Sequence, residues 1–110
     1  MKIIENSKIK EKVYIEKLKN GLTVMIIPKE NVRKKYIIWG THYGSNDSKF
    51  IVPGEEEITE VPKGVAHFLE HKMFEQENGR NSLDVLTSLG VNANAYTTND
   101  HTAYLYECTD

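Results

Sequence analysis

Short apolar runs separated by turn-forming residues divide this chain into strand-sized pieces. Val13 to Leu18 and Leu22 to Ile27 are two such runs joined by Lys19-Asn20-Gly21. Asn-Gly between apolar runs predicts a hairpin, because the tight turn needs positive φ, which these residues tolerate. Pro28 ends the second strand, having no N–H to give a ladder. The charged stretch Lys29 to Lys35 leads to a third strand from about Tyr36 to Tyr43. Its segment Tyr36-Ile37-Ile38-Trp39 is nearly continuously apolar, the pattern of a central strand covered on both faces. Gly44-Ser45-Asn46-Asp47 then marks a turn.

Residues 48 to 63 hold Phe50-Ile51-Val52, then Pro53-Gly54, three glutamates and a short apolar patch around Ile58 and Val61. They read as a loop or small ribbon. From Pro62 the period becomes helical and holds to Glu75, with proline tolerated in a first turn where its missing N–H has no partner to lose. Gln76-Glu77-Asn78-Gly79 breaks it. A second helix is predicted from Asn81 or Ser82 to Leu89, with an Asn or Ser cap, Asp84 in its first turn and Gly90 as its stop. Leu83, Leu86 and Leu89 form its expected buried stripe. Val91 to Thr97 and Thr102 to Cys108 alternate as strands around the turn Thr98 to His101, with Val91, Ala93, Ala95 and Thr97 on one face and Asn92, Asn94 and Tyr96 on the other. Strands first, two helices, then a closing hairpin, with no repeat or internal linker, predict one continuous α+β unit.

The first helix also carries the chemistry. Pro62 to Glu75 reads PKGVAHFLEHKMFE, which sets His67, Glu70 and His71 in the pattern H-x-x-E-H. Counting about 100° per residue from Val65, the trio falls in an arc of roughly 140° to 240°, while Val65, Ala66, Leu69 and Met73 fall between roughly 0° and 100°. The trio is thus expected to face away from the centre of the apolar stripe, with Phe68 and Phe74 covering its flanks. Two neutral imidazoles four residues apart can bind one Zn²⁺, and a catalytic zinc needs a third protein ligand and an open position. A carboxylate beside the attacking water can take its proton and return it to the leaving amine. Glu70 is placed for that role. A solvated surface helix is the bland alternative, and the three residue types in this order inside an amphipathic helix favour the metal site.

This segment resembles the zinc motif of the insulinase and pitrilysin family of metallopeptidases, the inverzincins. Asn92-Ala93-Asn94-Ala95-Tyr96-Thr97, followed by His101-Thr102-Ala103-Tyr104, is similar to that family's N-A-[FY]-T and H-T-x-Y strand pair. Gly64-Val65-Ala66 before His67 and Met73-Phe74 after His71 also fit, so the resemblance covers residues 13 to 110. Its wording around His67 is similar to a bacterial subgroup with members named for association with aminopentanol modification of elongation factor P. The resemblance implies an antiparallel-rich sheet with helices packed on one face, of which this chain is an incomplete N-terminal portion, residues 1 to 110 of a single insulinase-like peptidase domain. It further implies Zn²⁺ held by His67 and His71, Glu70 as general base, and a peptide or unfolded-protein substrate laid along Asn94, Ala95 and Tyr96. A second insulinase-like subunit is the partner that multidomain family members suggest.

Composition narrows the alternatives. The 110 residues, 39% hydrophobic and 27% charged, suit one small globular domain with a modest core. The longest apolar runs, such as Leu22 to Pro28, are strand-sized, so no membrane span is expected. The opening residues lack an apolar leader core, which makes the cytoplasm the expected location. Cys108 is the only cysteine, so no internal disulfide can form. A net charge of −2 with mixed signs gives no footprint for nucleic acid, and Arg33-Lys34-Lys35 reads as a solvated loop. Glu55-Glu56-Glu57 reads as a solvated acidic turn.

The third zinc ligand has no match. In the resembling family it is a glutamate on a later helix, and Glu75, Glu77 and Glu107 do not occupy that position. His101 is a candidate third imidazole, against the simpler reading of a turn residue, and His42 reads as a hydrogen-bonded strand residue. Two functions follow. One is a zinc metalloendopeptidase acting on peptides or small unfolded proteins, with these residues alone inactive for want of the third ligand. The other is a non-catalytic family subunit or peptide-binding module that holds an extended strand against its sheet.

Overall fold

The fold is described for residues 1–109 in a computed structural model. Its contacts gather into two compact units, Met1–Val32 and Arg33–Asp110, taken in turn.

The first unit is an antiparallel meander of β1 (Lys2–Asn6), β2 (Glu11–Lys17) and β3 (Thr23–Ile26), in the order β1-β2-β3. The Asn-Gly hairpin is where the sequence puts it. Gly21 has φ +90, Asn20 Oδ1 accepts the Leu22 N–H at 3.1 Å, and Tyr14 lies opposite Ile26. Strand β1 is an addition to the expected elements, pairing Ile4 with Val13 and Lys2 with Ile15. Its charged residues hide the strand pattern that the ladder with β2 reveals.

The second unit holds the antiparallel sheet β4-β8-β7, from β4 (Lys34–Thr41), β7 (Asn92–Thr97) and β8 (Thr102–Thr109). A two-stranded ribbon of β5 (Lys49–Ile51) and β6 (Ile58–Glu60) fills the stretch anticipated as a loop or ribbon. Helix α1 (Val65–Lys72) packs on β7 and β8, and α2 (Ser82–Ser88) packs on β7. The alternation read in Asn92 to Thr97 is present: Ala93, Ala95 and Thr97 are half-buried and Asn92, Asn94 and Tyr96 exposed. The α+β architecture with an antiparallel-rich sheet and helices on one face is therefore the observed one.

Three packing expectations are corrected. The apolar strand β4 is an edge, and all eight of its residues are exposed; β8 is the central strand, because β4 and β7 both pair to it. Ile37, Ile38 and Trp39 are each more than half exposed, so their apolar character has no cover among the described residues. In α1 the expected stripe of Val65, Ala66, Leu69 and Met73 is split: Ala66 is buried and Val65 half-buried, whereas Leu69, Met73 and the flanking Phe68 are exposed, and the face turned to the sheet is completed by Glu70 and by Phe74 just past the helix. In α2, Leu83 and Leu86 are half-buried while Leu89 is 73% exposed, because the helix ends before it at Ser88. No helix among the described residues is long and apolar enough to cross a membrane.

The loop after β4 is locked onto the turn between β7 and β8. Ser45 N–H donates to the Thr98 carbonyl at 2.9 Å and Asn46 N–H to the Asn99 carbonyl at 2.9 Å. Gly44 permits this approach, since a Cβ there would meet Asp100 N at 2.4 Å and Asn99 C at 2.5 Å. Backbone atoms on both sides cannot yield as a flexible side chain would. Gly44→Ala is therefore expected to lose about 1–3 kcal/mol of stability through overpacking. Gly40→Ala, where the added carbon meets nothing within 4 Å, is expected to be near neutral. Urea unfolding of the two variants checks the pair, and equal midpoints would contradict the packing account.

Candidate metal centre

Helix α1 begins where Gly64, at φ 93 in the left-handed region, turns the chain into its first turn. No side chain caps the start. What sets the helix's rotation is the sheet beneath it: Ala66 is 4% exposed, Phe74 6% and Glu70 7%. A small residue allows close approach, an aromatic ring fills the far end against Tyr104 at 5.7 Å between centroids, and a carboxylate sits between them. Burying an ionised carboxylate unpaired is strongly unfavourable. Thr97 on β7 satisfies Glu70, its hydroxyl donating to Oε2 at 2.6 Å.

With Glu70 turned inward, His67 and His71 stand one step round the helix and are exposed. Their rings lie 4.8 Å apart, with Nε2 facing Nε2 at 3.1 Å. One ligand atom from each of His67, Glu70 and His71 falls within 4.8 Å of the others. Two imidazole nitrogens on one tetrahedral zinc, at about 2.0–2.1 Å each, stand about 3.3–3.4 Å from one another. The observed separation is close to that, and the two imidazole nitrogens supply two of the donors zinc prefers, with the Glu70 carboxylate beside them as a base rather than among them. The residues present therefore fit a zinc ion. The same 3.1 Å also suits one imidazole N–H donating to the other's lone pair, so the fit rests on the trio rather than on the pair.

The other residues singled out by the sequence fall elsewhere. His101 Nδ1 is 2.6 Å from Asp100 Oδ1 and 2.8 Å from Thr98 Oγ1, which commits it to its turn and leaves it outside the trio. That hydrogen bond from His101, with a second from Thr98, holds the Asp100 carboxyl below its usual range. His42 donates Nδ1–H to the Asp100 carbonyl at 2.7 Å, as a strand-end hydrogen-bonding residue would. Glu75 pairs with Lys72 at 2.5 Å and Glu107 with Lys34 at 2.8 Å. Asn94, Ala95 and Tyr96 lie on β7, which is an edge of the sheet and flanks α1. Two neighbours of Glu70 were not read from the sequence: Thr97 and Tyr104. The signal for Thr97 was there, since alternation put it on the inward face with Ala93 and Ala95.

Residues 54–110 match the family described as Insulinase (Peptidase family M16). A protein named as a zinc protease, YmfH of Bacillus subtilis (strain 168), is 43% identical over 109 residues, which is 99% of this chain and 25% of that protein. The mitochondrial ubiquinol-cytochrome-c reductase complex core protein I of Euglena gracilis is 39% identical over 62 residues, 54% of this chain and 13% of that one. The crystal structure of an M16-like peptidase from Alicyclobacillus acidocaldarius matches 97% of this chain and 24% of its own, with a TM-score of 0.81 and 36% identity. The chain spans about a quarter of the length of the YmfH and Alicyclobacillus proteins.

Tyr104 reports on the buried carboxylate. Its hydroxyl holds its proton above the ordinary value of 10.0, first through burial, then through the negative charge of Glu70 and of Tyr106. A proton held more tightly in the folded chain than in the unfolded one gives stability that is full below about pH 10 and is lost as pH rises through the folded pKa. Ultraviolet titration is expected to show a late-ionising tyrosine that disappears in Tyr104→Phe, together with a shallower alkaline loss of stability. Superimposable titrations of the two proteins would contradict it.

Proposed function

The chain belongs to the insulinase family, peptidase family M16, and on that premise we propose that it carries the His67–Glu70–His71 portion of a zinc metalloendopeptidase centre. The substrates proposed are peptides or small unfolded proteins. The observation that carries the reading is the convergence of two imidazole nitrogens and a buried carboxylate within 4.8 Å.

His67 and His71 would hold the zinc through Nε2. When bound, zinc supplies Lewis acidity toward a carbonyl oxygen and lowers the pKa of water at its open position. Glu70 accepts the proton of the attacking water and delivers it to the leaving amine. Its inward position keeps one carboxylate oxygen on Thr97, and the α1–β7 packing keeps the group beside the imidazoles. The third ligand is proposed to be a glutamate outside the described residues, since none of Glu75, Glu77 and Glu107 joins the group of side chains gathered at His67 and His71.

The free edge of β7 is the proposed seat of the substrate. A strand added there is held by main-chain hydrogen bonds, which give affinity with little sequence preference. Asn94 and Tyr96 are exposed on it. Asn94 Oδ1 accepts the Ala95 N–H at 2.9 Å, so that donor points away from β8 and is released to a docking peptide when the amide swings aside.

A second reading has its own support. The similarity to a protein named as a core protein of a respiratory complex supports a subunit role, and the open edge of β7 would let such a subunit hold an extended chain without cutting it. The intact trio weighs against it, because a binding module has no use for a carboxylate buried beside two facing imidazoles.

In the protein complete with its third ligand, replacing His67 or His71 with Ala is expected to abolish stoichiometric zinc, whereas Glu70→Gln keeps the metal and loses at least about 10²- to 10⁴-fold in turnover. Metal analysis and a quenched-peptide assay separate the cases. Undiminished zinc in both histidine variants would end the metal assignment, and a Glu70→Gln rate within a few-fold of wild type would end the role of Glu70. Photo-crosslinking of a bound peptide is expected to label β7 around Asn94, Ala95 and Tyr96. Labels that avoid β7 altogether would count against the docking edge.

A further inference from the structure

We propose that Thr97 is a positioning residue for Glu70, a role that rests on the reading of Glu70 as the base and deepens it. The Thr97 hydroxyl fixes one oxygen of a flexible side chain and so decides where the other can point. A carboxylate only accepts hydrogen bonds, so at 2.6 Å the hydrogen belongs to Thr97 and the bond is of the short, charge-assisted kind. Glutamate has several rotatable bonds and a broad terminal torsion. Without an anchor, its carboxylate would sample positions that do not face the imidazoles.

Thr97 is itself held. It stands opposite Thr102 in the β7–β8 register, the last rung before the turn. Thr102 is 2% exposed and gives its one hydrogen to the Tyr43 carbonyl at 2.8 Å. Its oxygen then lies 3.3 Å from Thr97 Oγ1, close enough to limit the Thr97 rotamer without competing for the bond to Glu70. Tyr43 precedes Gly44, whose close approach to Asn99 and Asp100 locks this loop to the β7–β8 turn. A path of contacts therefore runs from the loop after β4, through Thr102 and Thr97, to the carboxylate on α1. Threonine suits the site on two counts: the hydroxyl holds Glu70, and the branched carbon restricts the rotation that would release it.

Thr97→Val keeps the shape and removes the donor; Thr97→Ala removes the donor without adding a methyl; Thr97→Ser keeps the donor. In the zinc-loaded protein complete with its third ligand, Val and Ala variants are expected to stay folded and keep zinc with a lowered thermal midpoint, because Glu70 loses its donor, to lose about 10- to 100-fold in kcat, the scale set by misplacing a reacting group by an ångström, and to leave KM unchanged. Ser is expected to recover kcat to within a few-fold. Crystal structures give a readout independent of turnover: a Glu70 carboxylate ordered in Ser and spread over several rotamers in Val. The proposal is overturned by a wild-type kcat in both donor-less variants, by loss of zinc or of folding in both, or by a Glu70 carboxylate that stays in place in the Val variant. Failure of the underlying reading looks different, because Glu70→Gln would then keep its turnover while carboxylate order still reported on Thr97.

Discussion

A buried carboxylate sets the terms for the second compact unit. Glu70 is almost fully removed from water, and an ionised group in that position needs a hydrogen-bond donor within reach. Thr97 is that donor, and together with the burial of Ala66 and Phe74 on the same face it sets the rotation of α1 on the sheet. The exposure of His67 and His71 and the facing of their nitrogens follow from that one rotation. Had the apolar stripe of Leu69 and Met73 faced the sheet, Glu70 would have turned toward solvent and the trio would have lost its buried member.

Local signals were legible in the sequence and the choice of buried faces was not. The Asn20-Gly21 turn, the Asn81 cap and the alternation of Asn92 to Thr97 depend on a few neighbouring residues, and each stands where it was read. Strand β4 and helix α1 depart from expectation for the same reason. Hydrophobicity says that a residue belongs against something, without saying against what. Tyr36 to Trp39 are apolar yet exposed on an edge strand, and Leu69 and Met73 are apolar yet turned out, while a charged residue is in. A carboxylate turned inward beside two histidines breaks the hydrophobic rule, and functional sites are where such breaks are expected. The trio itself could be read because its signal is spacing, which a helix converts directly into proximity.

The apolar surface left bare is consistent across the second unit. Ile37, Ile38 and Trp39 on β4 and Met73 just past α1 are all more than half exposed. Trp39, Met73, Phe74, Tyr104 and Tyr106 line a cleft of about 230 Å³. Patches of this kind on a protein surface mark places where further protein packs. The relatives YmfH and the Alicyclobacillus peptidase have room for such packing, since this chain matches about a quarter of each.

The central claim is that His67 and His71 hold one metal ion between their Nε2 atoms, with Glu70 kept beside it by the sheet. An anomalous-difference map collected at the zinc absorption edge from crystals of the zinc-loaded protein tests this most directly. The account predicts one strong peak about 2.0–2.1 Å from both Nε2 atoms, with the Glu70 carboxylate still on Thr97. A peak bound to other side chains, or full zinc loading with no peak between the two histidines, would contradict it.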